Sequence, residues 1–429
     1  MLGLGLSAAW ASAIETFLVR SLPAASAIAP SPLQAALIPY LSRTLDPVRA
    51  GRGEPSPARG GRNGPAAVLA ADTIGSGKTI AYLAPLLSSG ADAVVVTPTT
   101  LLADQVTGVV DGIIAELPPA AGGRTAAPGS RLRIMPVADL PQALVGSSAP
   151  LDALVLDEVD ALIQPPSRYA ARQPPQAQPK HTSHDLLSPA DLRASIRSID
   201  PEHGVLVAVS ASINAPLRHM LRDPRLGLRR PFLRLGSQPG ASPLPPSIAI
   251  TSLPVADRDA KLDAVVSLLS ACPGASTLVV VDSDSRIESA MAALTRAGLY
   301  PTQLLDLGSL LHPSDVPPAL IVSDAPSLRG LDLSHLEHVV IASRRLPRPL
   351  ANFAHIAGRV GRASQAASAT RVTVAVTPGE SVILDGMLRQ HRRALSTAQS
   401  ATPGAGSASS PHPRPRREAD PAPVFQHPS

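Results

Sequence analysis

Short apolar runs recur along the chain and predict the strands of parallel β-sheets. Each is five or six residues long, and most are rich in Val, Leu and Ile without alternation with polar residues. Such runs are expected where a strand is covered on both faces. The predicted strands are Ala66–Ala71, Ala93–Thr97, Ala153–Asp157, Val205–Ser210, Thr277–Asp282, Ala319–Asp324, His338–Ala342 and Arg371–Val376.

Helical patterns lie between several of these runs, at Ile80–Ser88, Thr100–Glu116, Lys261–Ala271 and Ser285–Ala297. Alternation of strands and helices is typical of doubly wound folds, in which helices cover both faces of a parallel sheet. The pattern therefore predicts an α/β protein.

The series of strands is interrupted near residues 236–257, where glycine and proline are concentrated. This composition is typical of a linker, so we predict a first domain over residues 1–235 and a second over residues 258–395. Residues 396–429 are rich in Pro, Ser and Ala. They cannot bury enough apolar surface to pack, and we predict that they form a disordered tail.

The composition limits the class of protein. The chain has 429 residues, of which 44% are hydrophobic, and this is enough for two domains that each bury a core. No apolar run reaches the roughly 18–20 residues that a membrane span needs, so no membrane partner is expected. Cys272 is the only cysteine, which excludes an intramolecular disulfide and a cysteine-based zinc site.

The formal net charge is +5 and the sequence pI is about 9.8, which suits a polyanionic partner. Almost all of the basic residues are arginine, and lysine occurs only at Lys78, Lys180 and Lys261. A biased coding composition explains this balance equally well, so the charge by itself does not decide the partner.

The segment from Ala71 to Thr79 follows a predicted strand, precedes a helical pattern and ends in Gly-Lys-Thr, as a phosphate-binding loop does. Gly75 and Gly77 would let the backbone N–H groups face a phosphate. Lys78 would place its ammonium at the β- and γ-phosphates, and the Thr79 hydroxyl would bind Mg²⁺. The alternative is an ordinary glycine-rich turn between a strand and a helix.

Two carboxylates, Asp157 and Glu158, stand at the end of another predicted strand. Asp157 would hold Mg²⁺, and Glu158 would orient and deprotonate a water that attacks the γ-phosphate. An acidic pair after a strand can equally be a helix cap. The phosphate-binding loop upstream favours the catalytic interpretation.

With these motifs the chain resembles the DEAD-box helicases of superfamily 2 over about residues 30–377. Residues 71–79 resemble the family's motif I, with Thr73 and Ser76 among the nucleotide-binding positions, and residues 157–160 resemble the DEAD tetrapeptide with Val159 in place of alanine. Residues 30–34 resemble the Q motif, which implies that Gln34 reads the adenine edge. The resemblance implies two tandem RecA-like doubly wound parallel-sheet domains.

Further segments resemble the motifs that contact RNA or couple its binding to hydrolysis. Residues 98–103 are similar to motif Ia, which implies that Pro98 and Thr99 touch the RNA backbone. Residues 210–212 are similar to motif III, which implies a coupling role for Ser210 and Ser212.

The second half of the chain carries segments that resemble motifs V and VI, at residues 323–332 and 355–362. The first likeness implies that Asp332 binds the ATP ribose. The second implies that two arginine fingers reach the γ-phosphate from the second domain. Residues implied to approach RNA or to couple its binding are Arg329, Gly330 and His355, and the implied arginine fingers are Arg359 and Arg362.

Some positions depart from the family's pattern. Ile74 is an extra residue in motif I, and motif VI has Ile356 where the family has arginine, so we expect an interdomain contact to the acidic tetrapeptide to be lost. The aromatic residue that stacks on adenine is not evident. Trp10 and Phe17 could replace it, although each is equally consistent with a core position.

The resemblance implies an ATP-dependent RNA helicase that uses ATP and Mg²⁺, binds RNA through its backbone and acts as a monomer. In its divergent tetrapeptide, its proline-rich insertions and its basic charge, the chain is most similar to fungal mitochondrial DEAD-box proteins that help to assemble the large ribosomal subunit. This implies a mitochondrial location, the nucleus and cytoplasm being the alternatives, and ribonucleoprotein partners. Two other functions stay open: a non-hydrolysing RNA-binding scaffold with the same fold, and a superfamily 2 DNA helicase.

Overall fold

The computed structural model contains two six-stranded parallel sheets, one in each half of the chain. The residues that the structure describes are 2–21, 29–46, 64–72, 76–118, 132–145, 149–163, 186–211, 213–229, 232–236, 244, 248–271, 274–282, 284–304, 320–333, 336–348, 350–360 and 370–400.

The first sheet has the strand order β3-β2-β4-β5-β1-β6, and all of its pairs are parallel. Its strands are β1 (Ala66–Ala71), β2 (Ala93–Thr97), β3 (Leu132–Pro136), β4 (Ala153–Asp157), β5 (Val205–Ser210) and β6 (Leu233–Gly236). The helices of this first domain are α1 (Ala8–Ser21), α2 (Pro32–Thr44), α3 (Lys78–Ser89), α4 (Thr100–Ala115), α5 (Leu140–Val145), α6 (Val159–Leu162), α7 (Pro189–Arg197) and α8 (Ala215–Leu221).

The second sheet has the order β7-β12-β11-β8-β10-β9 and is also parallel throughout. Its strands are β7 (Ala249–Pro254), β8 (Thr277–Val281), β9 (Thr302–Gln303), β10 (Leu320–Asp324), β11 (His338–Ile341) and β12 (Arg371–Val376). The helices of this second domain are α9 (Lys261–Ala271), α10 (Asp284–Arg296), α11 (Leu350–Ala357) and α12 (Pro378–Ser400). The predicted fold class, two tandem doubly wound α/β domains, is confirmed.

The central strands of both sheets are buried on both faces, which is why their sequences are continuous apolar runs. Two apolar clusters lie on opposite faces of the first sheet, and a third covers one face of the second. The largest cluster contains side chains from both domains, among them Leu102 and Leu331. Among the described residues, no helix combines the length and the apolar content that a membrane span requires.

Four strands were not predicted, namely β3, β6, β7 and β9, and all four lie at the edges of their sheets. Their residues are partly exposed, so they lack the continuous apolar run that marks a central strand. Strand β7 lies inside the range predicted as the linker and pairs with β12, so the second domain begins before residue 258. Helix α12 ends at Ser400, so residues 396–400 of the predicted tail are helical.

Candidate active site at the carboxyl ends of the strands

The loop after β1 brings Lys78 to the carboxyl edge of the first sheet, where α3 begins. Gly77 caps this helix with φ +74°, a backbone conformation that favours glycine, and a Cβ added there would overlap the Gln34 amide. The Lys78 ammonium is buried and donates to the Asp72 carbonyl oxygen at 3.2 Å. Burial lowers the pKa of Lys78, whereas the charges of Glu158 and Asp157 raise it.

Gln34 connects α2 to the phosphate-binding loop. Ser31 caps α2, and its backbone N–H donates to Gln34 Oε1 at 2.9 Å, which completes a capping box. Gln34 Nε2 donates to the carbonyl oxygen of Gly77 at 3.2 Å. The amide predicted to read adenine therefore also holds the backbone immediately before Lys78.

The acidic pair lies at the end of β4. Asp157 Oδ2 accepts a hydrogen bond from the Tyr82 hydroxyl at 2.8 Å, and Oδ1 accepts from the Glu158 backbone N–H at 3.0 Å. Burial, together with the neighbouring charge of Glu158, raises the pKa of Asp157 to about 7. Tyr82, on α3, was missed in the sequence because an aromatic residue on the apolar side of a helix is typical of a core position.

Glu158 has a strained backbone, and one of its carboxylate oxygens accepts no hydrogen bond from the described residues. Its φ of +52° makes it the one non-glycine residue with positive φ in the described part of the chain, and such outliers cluster at functional sites. Glu158 Oε2 is buried and has no hydrogen-bond partner among the described residues; His355 Nδ1, in the second domain, lies 3.8 Å away. This oxygen can accept a hydrogen bond from a water molecule and take its proton.

Asp160 is where the two domains meet. Its Oδ1 accepts from the Ser210 hydroxyl at 2.6 Å, and its Oδ2 lies 3.2 Å from His355 Nε2 and 3.4 Å from Arg329 Nη1. Burial alone would raise the pKa of Asp160. The hydrogen bond from His355 and the charges of His355 and Arg329 outweigh burial and hold that pKa well below its usual range.

These contacts correct one expectation from the sequence. Ile356 is buried in the core, so this position makes no polar contact with residues Asp157–Asp160 at the end of β4, the acidic turn. The interdomain contact is nevertheless present, because His355 and Arg329 provide it from neighbouring positions.

Arg359, one of the two predicted arginine fingers, is almost fully buried at 1% exposure. Its Nε donates to the His355 carbonyl oxygen at 2.9 Å, and its Nη1 donates to the carbonyl oxygen of Leu331. Its positive charge also makes a small contribution to lowering the pKa of Lys78.

The turn Arg329–Asp332 packs directly on the first domain. Gly330 has φ +74°, and a Cβ there would overlap Leu102 and lie 3.2 Å from Glu158 Cγ. Asp332 is exposed, and its backbone forms two hydrogen bonds with Gln105 of α4. Gln105 was missed in the sequence, since a polar residue on an amphipathic helix usually indicates a solvent-facing position.

The remaining predicted positions fall into three sets: two at the end of β2, two aromatic residues, and four outside the described residues. Pro98 and Thr99 follow β2, and Thr99 caps α4 by accepting from Leu102 N at 3.2 Å. Trp10 is buried in the core, and Phe17 packs against α4 at Gly112, so neither is available to stack on adenine in this arrangement. Predicted site residues that lie outside the described residues are Thr73, Gly75, Ser212 and Arg362.

The donor set fits a nucleoside triphosphate with a divalent cation. Lys78 supplies a buried ammonium group, and Asp157 supplies a buried carboxylate beside Glu158. The Thr79 side chain lies near the Tyr82 hydroxyl, which itself donates to Asp157 Oδ2. A hydroxyl and a carboxylate are oxygen ligands of the kind that Mg²⁺ prefers. Lys78, Thr79 and Asp157 can therefore hold the phosphates and the cation.

A sequence model of the family described as DEAD/DEAH box helicase matches residues 61–172. No curated protein matches the chain by sequence. Among solved structures, S. cerevisiae Dbp5 bound to RNA and ADP BeF3 aligns with a TM-score of 0.63 at 16% identity, over 91% of this chain and 92% of that chain.

Two other structures are similar. Mss116p bound to ssRNA and AMP-PNP aligns with a TM-score of 0.61 at 16% identity, over 87% of this chain and 73% of that chain. The Mycobacterium smegmatis helicase Lhr bound to ssDNA and AMP-PNP aligns with a TM-score of 0.57 at 15% identity, over 91% of this chain and 50% of that chain. The chain thus has the tandem RecA-like fold of DEAD-box helicases, and its residues 61–172 are similar in sequence to the DEAD/DEAH box helicase family.

Proposed function

We propose that this protein is an ATP-dependent RNA helicase that couples ATP hydrolysis to RNA binding and to local unwinding or ribonucleoprotein remodelling. One observation carries the proposal. Asp160, in the acidic turn of the first domain, is contacted by His355 and Arg329 of the second domain. A site completed by two domains supports an enzyme whose hydrolysis depends on domain closure.

The first domain would bind the nucleotide. Lys78 would contact the phosphates, Thr79 and Asp157 would hold Mg²⁺, and Gln34 would recognise adenine. When bound, Mg²⁺ would supply positive charge that offsets the charge of the phosphates.

Glu158 would act as the general base. Its Oε2 is buried and accepts no hydrogen bond from the described residues, so it is available to orient an attacking water and to take a proton from it. Its backbone lies between the end of β4 and the start of α6, at the carboxyl edge of the first sheet.

The second domain would complete the catalytic site. Arg359 would stabilise the charge that develops on the transferred phosphate, with Arg362 in the same role by resemblance. An arginine of this kind typically contributes ~10³–10⁵ in rate. Asp332 would bind the ribose.

RNA would lie at the carboxyl edges of the two sheets, near Pro98 and Thr99 in the first domain and Arg329 and Gly330 in the second. Ser210 and His355 both contact Asp160, so they would link RNA binding to the nucleotide site. Contacts with phosphates and ribose would make binding salt-sensitive and nearly independent of sequence. A monomeric state, a mitochondrial location and a role in ribosome assembly are parts of the proposal that rest on the sequence resemblance alone.

The test is ATP hydrolysis by the full chain with Mg²⁺, alone, with oligo-uridine RNA and with DNA of the corresponding sequence. We expect RNA to stimulate turnover, and Lys78→Ala to abolish it. RNA binding without hydrolysis would contradict the proposal and support the non-hydrolysing scaffold. Equal stimulation by DNA would support a DNA helicase. The structurally similar helicase Lhr was solved with bound ssDNA.

A further inference from the structure

Four consecutive residues of the second domain, Arg329–Asp332, contact both α4 and the acidic turn of the first domain. Arg329 contacts Asp160 at 3.4 Å, and Gly330 lies so close to Leu102 that no side chain fits between them. This turn is therefore packed directly against the first domain.

Gln105 makes the most specific of these contacts. Its Nε2 donates to the backbone carbonyl oxygen of Asp332 at 2.8 Å, and its Oε1 accepts from the Asp332 backbone N–H at 2.7 Å. Both ends of one side-chain amide are thus paired with both polar groups of one backbone residue. Glutamine suits this arrangement because it carries one donor and one acceptor side by side.

Gln105 also lies between two functional segments. Its helix, α4, is capped at its N-terminus by Thr99. In the proposed function, RNA binds at Thr99. Gln105 is six positions after Thr99 along the helix, which corresponds to about 9 Å at the rise of an α-helix. On the other side, Leu331, next to Asp332 in the turn, accepts a hydrogen bond from Arg359.

We propose that Gln105 is a positioning residue that couples RNA binding on α4 to the delivery of Arg359. This inference rests on the proposed function. The two hydrogen bonds form only when the domains are closed, so they stabilise the closed state relative to the open one. A contact made in only one of two states changes the coupling between ligands that favour that state.

The experiment measures this coupling in the full-length protein. RNA affinity for a fluorescent oligo-uridine is determined without nucleotide and with AMP-PNP and Mg²⁺, and the ratio of the two affinities is the coupling factor. Gln105→Ala removes both hydrogen bonds, and we expect it to lower the coupling factor roughly fivefold to tenfold. RNA affinity without nucleotide should stay as in the unmodified protein.

Two further variants sharpen the test. Gln105→Glu retains the size and the acceptor but sets an oxygen against the Asp332 carbonyl, so its coupling factor should fall at least as far as that of Gln105→Ala. Thr107→Ala, on the same helix, removes a hydroxyl that bonds to Ala103 within α4, and its coupling factor should not change. RNA-stimulated ATPase activity should fall in parallel with the coupling factor.

Three outcomes are informative. A reduced coupling factor with unchanged nucleotide-free RNA affinity supports the inference. An unchanged coupling factor in Gln105→Ala overturns it, as does an equal loss of RNA affinity with and without nucleotide, because that indicates a structural role only. If the unmodified protein shows no coupling and no RNA-stimulated hydrolysis, it is the proposed function that fails.

Discussion

Each domain buries a lysine next to carboxylates, but the two sites are built differently. In the second domain, Lys261 Nζ lies 2.7 Å from Glu380 Oε2 and 2.8 Å from the Ser343 carbonyl oxygen. The Glu380 carboxylate also accepts hydrogen bonds from two backbone N–H groups. In the first domain, Lys78 contacts a backbone carbonyl, and Glu158 leaves a buried oxygen with no hydrogen-bond partner among the described residues.

The paired charges of Lys261 and Glu380 indicate a structural site, whereas the Glu158 oxygen without a partner among the described residues indicates a site that binds a ligand. Leaving a buried polar atom without a partner costs about 1–3 kcal/mol, so such atoms are rare unless something else binds there. The Lys261–Glu380 pair connects α9, the residues after β11 and the start of α12. We therefore expect changes in the first site to affect activity and changes in the second to affect stability.

The largest expected effect follows from Glu158→Gln, which keeps the shape of the side chain but removes the base. RNA-stimulated ATP hydrolysis should fall by ~10²–10⁴-fold, whereas the free energy of unfolding should change by less than about 1 kcal/mol. Steady-state ATPase assays and urea unfolding measure the two effects. Turnover equal to that of the unmodified protein would remove Glu158 from the role of base.

Disrupting the Lys261–Glu380 pair should instead lower the free energy of unfolding. Glu380→Gln leaves Lys261 buried without its counter-charge, and we expect a loss of about 3–5 kcal/mol in the free energy of unfolding of the second domain. The double variant Lys261→Met with Glu380→Leu should recover most of that loss, because neither charge remains buried. Urea unfolding of all three proteins is the measurement, and a stable Glu380→Gln protein would contradict the comparison.

A smaller effect is expected at His338, which the second domain buries next to Thr373, with 2.9 Å between Nε2 and the threonine hydroxyl. Burial and the nearby charge of Arg371 lower the pKa of His338 to about 4. The unfolded chain binds this proton near pH 6.5, so the free energy of unfolding should be highest above that pH. It should decrease as the pH falls from 6.5 towards 4, by about 1–2 kcal/mol at pH 5.

The control for this prediction is His338→Asn, which retains a polar side chain but does not titrate. The difference in the free energy of unfolding between the two proteins, measured from pH 8 to pH 5, isolates the histidine from all other groups. A difference that does not vary with pH would show that His338 takes up its proton equally well in the folded and unfolded states.

Local patterns were sufficient to predict much of the fold and to locate several residues of the candidate site. The central strands and the segments that carry Lys78, Asp157 and Glu158 were identifiable because buried runs, a glycine-rich loop and an acidic pair are all encoded by adjacent residues. Edge strands such as β3 and β7 were missed, because strands exposed on one side need not be apolar. The Tyr82 contact with Asp157 was missed for a different reason, since burial of an aromatic residue does not reveal what its hydroxyl binds.

The sequence by itself determined that this protein has two α/β domains and which short segments carry phosphate-binding and acidic groups, because burial and backbone conformation depend on residues close together in the chain. Only the tertiary structure decided which of those groups meet. Arg329 and Asp160 are 169 residues apart, and Gln105 and Asp332 are 227 apart, yet each pair is in hydrogen-bond contact. Their pairing depends on the position of one domain relative to the other, and no local pattern encodes that position.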